Sequence, residues 1–161
     1  MAPDLRVALQ DVARVMAPFP RHWWIIGSAA LALHGIRAGT VQDIDLLVDE
    51  SLVAAVLARM GIAPLKPAPD PLFRSAVFAR WIAPPVPVEV MAGFQVRVGD
   101  QWRTVALRSR ERIEIEGGAS FVPDRSDLLS LFGLFGRAKD GPRIAALERA
   151  GAPPPPAAPT R

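Results

Sequence analysis

The run Asp43-Ile44-Asp45-Leu46-Leu47-Val48 sets two aspartates at alternate positions against an otherwise apolar stretch. A strand is predicted over Asp43–Asp49. It turns both carboxylates to one face and Ile44 and Leu46 to the other. At ~3.3 Å rise per residue the two backbone positions stand about 6.6 Å apart, so both side chains can reach common metal ions. Left alone beside a Leu-Leu-Val core, two carboxylates repel each other and lose hydration. Divalent cations remove that cost, and oxygen-only donors favour magnesium or manganese.

The stretch before it supplies a complementary element. His22–Ile26 reads as a buried strand running into Gly27-Ser28, then a short helix over Ala29–His34 that Gly35 stops. Glycine lets a backbone approach a ligand closely. The helix start that follows directs unpaired N–H groups at an anion, and the Ser28 hydroxyl adds a donor. A phosphate cradle beside a metal-binding carboxylate pair is the minimal site for phosphoryl or nucleotidyl transfer. Taken singly these signals are weaker, because Asp-x-Asp pairs also occur in solvated turns and Ser28 can serve only as a helix cap.

Around this centre the chain alternates between helix and strand patterns. An amphipathic helix is predicted over residues 4–17, with Leu5, Leu9, Val12 and Met16 on one face. A helix over Leu52–Met60 has Ser51 as its cap and Gly61 as its stop. Four prolines between Pro64 and Pro71 mark a loop. Strands are predicted at Ser75–Ile82 and Val86–Met91, separated by Pro84-Pro85, with Pro87 indicating an edge or bulged position. Shorter strand segments follow at Val96–Val98, Thr104–Leu107, Arg112–Glu116 and Phe121-Val122. Two helices close the pattern, Asp127 to about Gly136, capped by Asp124 or Ser126, and Gly141–Arg149. The order predicts one α+β (α/β layered) domain over residues 1–150, with a mixed β-sheet and a C-terminal helical pair. Residues 151–161 read as a disordered Pro/Ala-rich tail.

Composition excludes several chemistries. The chain has no cysteine and only two histidines, so neither a thiolate nucleophile nor a cysteine zinc site is available. The longest apolar run, Trp23–Leu33, is too short to span a bilayer, and the N-terminus carries Asp4 and Asp11 without a signal-peptide pattern. The expected compartment is the cytoplasm, with no membrane partner. A net charge of +3 permits a phosphate-bearing partner without requiring one.

The stretch from Trp24 to Val48, with its Gly27-Ser28 turn and spaced Asp43-Ile44-Asp45, resembles the nucleotidyltransferase superfamily, whose fold is that of DNA polymerase beta. Ala30-Leu31, His34-Gly35, Arg37 and Thr40 are similar to its toxin and abortive-infection branch of minimal nucleotidyltransferases. Asp127-Leu128-Leu129, Gly136-Arg137-Ala138-Lys139-Asp140 and Ile144-Ala145-Ala146-Leu147 resemble the C-terminal helices of that branch. The resemblance implies a third catalytic carboxylate, and Glu89 is the acidic residue in the right apolar run. It implies catalytic and metal-holding roles for Asp43, Asp45 and Glu89, with Mg2+ or Mn2+ as cofactor. Nucleotide-binding roles fall to Gly27, Ser28, Arg37, Thr40, Arg137, Lys139 and Asp140. The implied reaction moves a nucleoside monophosphate from a nucleoside triphosphate, such as ATP, to a hydroxyl of RNA, transfer RNA or a protein. A small-molecule acceptor stays open. A toxin–antitoxin setting would add a cognate antitoxin as partner. The chain departs from the branch at Phe132 and Arg143, where a lysine and an acidic residue are usual. A catalytically silent nucleotide-binding, nucleic-acid-binding or interaction protein therefore remains the alternative.

Overall fold

The computed structural model describes residues 1–151; the Pro/Ala-rich stretch expected to be disordered lies outside them, apart from Gly151. Fourteen elements follow one another: α1 (Pro3–Met16), β1 (Trp23–Ile26), α2 (Gly27–Leu33), β2 (Ile44–Val48), α3 (Glu50–Met60), β3 (Phe73–Arg74), β4 (Val77–Trp81), β5 (Val88–Ala92), β6 (Gln95–Val98), β7 (Gln101–Thr104), β8 (Glu111–Ile115), β9 (Gly118–Val122), α4 (Arg125–Phe135) and α5 (Asp140–Gly151). The fold is α+β, as the order of patterns predicts.

A mixed four-stranded sheet in the order β1-β2-β5-β4 forms the centre. β2 and β5 run parallel, and the outer strands pair antiparallel to them. Their apolar side chains join those of α1, α2, α3, α4 and α5 in one core that includes Trp23, Ile25, Leu46, Val90 and Phe132. The expectation of a single sheet needs correction. Gly93, at φ +60, turns the chain out of β5, and a Cβ there would meet the Glu50 carboxylate and Ala76. The chain then builds a separate sheet, β3-β6-β7, and a hairpin, β8-β9.

Other differences have local causes. Pro87 marks no edge: it precedes β5, an interior strand, and its carbonyl accepts from the Ile44 N–H at 2.9 Å. The strand expected at Thr104–Leu107 lies earlier, at Gln101–Thr104, because the chain reverses at Gly99-Asp100 and pairs Val98 with Gln101. Phe73-Arg74, too short to show a periodicity, pairs with Val96 and Gln95. Asp49 rather than Ser51 caps α3, accepting from the Ser51 N–H at 2.9 Å and its hydroxyl at 2.6 Å. Asp124 caps α4 through the Asp127 N–H. The helix stops at Gly61 and Gly136 fall where expected, both in the left-handed conformation.

Candidate active site

The register of the central sheet lines up four residues across its strands: Ile26 opposite Asp45, Asp45 opposite Glu89, and Glu89 opposite Arg80. Side chains at matched positions share a face, so Asp45 and Glu89 are neighbours on parallel strands. Asp43 sits just before β2, and its charge acts on both. All three carboxylates line one cleft of about 320 Å³, together with Gly27, Arg137 and Lys139. Met91, Phe94, Phe73 and Phe135 give it an apolar wall, the proline-rich loop contributes Asp70, and β3 contributes Arg74.

Gly27 is the point of closest approach. Its φ is +66, a left-handed conformation that glycine adopts freely, and a Cβ built there would lie 2.5 Å from Asp45 Oδ2. The first residue of α2 thus doubles as the floor against which Asp45 rests. Gly27→Ala is expected to cost about 1–2 kcal/mol from backbone strain alone, with a further loss from the clash. Melting curves of Gly27→Ala, Asp45→Gly and Gly27→Ala/Asp45→Gly check this: measured against Asp45→Gly, the double variant should show the strain without the clash.

Crowding sets the electrostatics. Burial, then the charges of Asp43 and Glu89, push Asp45 up to about 7, against the pull of Arg137 and Lys139. Glu89 is also raised, by burial and by Asp43, with Arg80 and Lys139 opposing. Among the described residues neither Asp43 nor Asp45 makes an ion pair. Glu89 makes one, accepting from Arg80 Nη1 at 3.0 Å. No group of three acidic or histidine side chains among the described residues converges into a ready cage for an ion. The oxygen-only donors and the unrelieved negative charge nonetheless suit a hard divalent cation.

The other expected residues separate into groups. Arg137 and Lys139 face the cleft; Asp140 does not line it. Only 1% exposed, Asp140 instead accepts two side-chain hydrogen bonds from Arg137, at 2.8 and 3.0 Å, one from the Arg137 N–H at 3.1 Å and one from Arg143 at 3.3 Å. Burial works to raise its pKa, but those bonds and the arginine charges hold it below its ordinary value. Arg137 also stands 5.0 Å over each of the Phe73 and Phe135 rings, so it enters the cleft as a fixed charge. Ser28 is buried in α2 and is not one of the cleft-lining residues. Arg37 and Thr40 line a different hollow, of about 730 Å³, beside the start of α1. Phe132 and Arg143, the two departures from the family pattern, pack on each other, with the guanidinium 5.5 Å over the fully buried ring. Arg80 and the phenylalanine wall were not foreseen.

No family model matches the chain, and no curated protein matches it. Solved structures do. TM1012 of Thermotoga maritima, a presumed nucleotidyltransferase, superposes with a TM-score of 0.72 at 19% identity, over 93% of this chain and 96% of that one. ANT(2'')-Ia, in complex with adenylyl-2''-tobramycin, gives 0.59 at 10% identity over 94% and 91%. An antigenic nucleotidyltransferase-like protein from Paracoccidioides brasiliensis gives 0.56 at 14% over 96% and 80%.

Proposed function

Starting from a chain with the nucleotidyltransferase fold, we propose that it transfers a nucleoside monophosphate from a nucleoside triphosphate to a hydroxyl acceptor, releasing pyrophosphate. The supporting observation is the junction of Asp43, Asp45 and Glu89 in one cleft against the Gly27 turn. These three carboxylates would hold Mg2+ or Mn2+. When bound, the cation supplies charge stabilisation for the triphosphate and acidifies the acceptor hydroxyl. Gly27, lacking a Cβ, leaves room for the Asp45 carboxylate itself to reach into the cleft. Arg137, immobilised by Asp140, and Lys139 present positive charge to the departing pyrophosphate. The apolar wall of Phe73, Phe94 and Phe135 lowers the local dielectric and strengthens those charges.

The resemblance supports RNA, a transfer RNA end or a protein hydroxyl as acceptor, and a cognate antitoxin as partner; ATP is the first triphosphate to try. Incubating the protein with α-labelled triphosphates, Mg2+, total RNA and protein should move label into one macromolecular pool. Label in neither pool, with magnesium-dependent triphosphate binding intact, would favour the second reading, a catalytically silent nucleotide- or nucleic-acid-binding or interaction protein. That reading draws on Glu89 being engaged by Arg80 and on Phe132 and Arg143 packing together.

A further inference from the structure

Arg80 stands on β4, the edge strand of the central sheet, directly opposite Glu89. Its guanidinium closes the row Ile26, Asp45, Glu89 at the end away from Gly27. Three cations whose charge acts on Asp45 or Glu89 are held on different terms. Arg137 is committed to Asp140, and Lys139 makes no ion pair among the described residues. Among the described residues Arg80 alone pairs with a cleft carboxylate, at 3.0 Å. The pair is partly open to solvent, with 44% of the Arg80 side chain and 23% of the Glu89 side chain exposed, so it can part without disturbing the core. The carboxylate it engages is the third oxygen donor that a cation at Asp43 and Asp45 would need.

We propose that Arg80 is a resident counter-cation for the cleft: it holds Glu89 and offsets its charge while no divalent cation is bound, and yields it when one arrives. The inference rests on the nucleotidyl-transfer reading of the cleft and adds a positioning residue that acts through Glu89. A half-exposed ion pair is weak, whereas a divalent ion with several oxygen ligands holds a carboxylate firmly, so the exchange runs towards the ion. Two consequences follow from removing the guanidinium. The cation loses a competitor and binds more tightly. Without a cation, Asp43, Asp45 and Glu89 repel one another with less relief, and the fold weakens.

Mn2+ titrations followed by the electron paramagnetic resonance of the free ion test this, using wild type, Arg80→Met, Glu89→Gln and the double variant, with melting curves in EDTA. Arg80→Met should bind Mn2+ about five-fold more tightly and melt lower in EDTA, while Arg80→Lys stays close to wild type. The gain should vanish in the Glu89→Gln background. Equal or weaker Mn2+ binding by Arg80→Met, or a gain that survives Glu89→Gln, overturns the proposal and leaves the nucleotidyl-transfer reading standing. Absence of Mn2+ binding by both wild type and Arg80→Met overturns both. Arg80→Gln serves in place of Arg80→Met should that variant fail to fold.

Discussion

Asp45→Asn is expected to abolish label transfer and, in EDTA at pH 8, to raise the melting temperature by about 5 °C. The two effects share one cause. Burial, then the charges of Asp43 and Glu89, push Asp45 from the ordinary carboxylate range up to about 7. The folded state therefore keeps a proton that the unfolded chain gives up near pH 4. Stability of the metal-free protein falls as pH rises between about 4 and 7, and the whole loss is present above 7. Three decades of proton affinity set a ceiling of about 4 kcal/mol; partial access of solvent to the cleft brings the expected gain to about 2 kcal/mol. Asparagine keeps the shape and deletes the charge, so its stability should fall far less across that window, with the raised Glu89 left to contribute. Melting curves at pH 5 and pH 8 in EDTA decide the matter. Wild type should lose stability between the two, the variant should lose much less, and added Mn2+ should restore wild type at pH 8 more than the variant. Parallel pH curves for the two proteins would mean that Asp45 carries no unrelieved charge, and the cation site would lose its physical basis.

What made the centre of this site legible was local pattern. The alternation of Asp43 and Asp45 pointed them one way, and a glycine between a strand and a helix marked the turn; Asp43 falls just before β2, outside the strand, yet it lines the same cleft as Asp45 and Gly27. Glu89 came from the family resemblance, and the register opposite Asp45 shows how close it stands. Arg80 was within reach of the sequence as well. β4 and β5 pair about the Pro84-Pro85 step, so residues four before Pro84 and four after Pro85 face each other, and these are Arg80 and Glu89. Arg37 and Thr40 show the opposite case. Their proximity in sequence to Asp43 says little about space, because the connection between α2 and β2 has no regular structure to carry a direction, and it places them beside α1. The phenylalanine wall gathers Phe73, Phe94 and Phe135 from three distant segments. No single stretch of sequence carries a signal for such a gathering.

Asp140→Ala should be the most destabilising single change near the cleft, at about 3–5 kcal/mol and a melting temperature lower by about 10 °C or more. The carboxylate is 1% exposed and serves both Arg137 and Arg143, whose side chains are 27% and 14% exposed. Its removal leaves two cations with little water and no partner, and takes a favourable negative charge from the first turn of α5. The same change should weaken triphosphate binding, because Arg137 would lose the bidentate grip that, with Phe73 and Phe135, points it into the cleft. A global loss of stability could mimic that second effect, so the test needs a variant that is stable and still lacks the charge. Replacing the trio together, Arg137→Met, Asp140→Leu and Arg143→Met, trades a buried ion network for apolar packing, an exchange that is often neutral for stability. Calorimetry with Mg2+ and ATP should then find binding weakened about ten-fold or more in a protein that melts near wild type. Wild-type affinity in that triple variant would show that Arg137 is a strut of the α4–α5 corner alone, and the pyrophosphate would have to be met by Lys139.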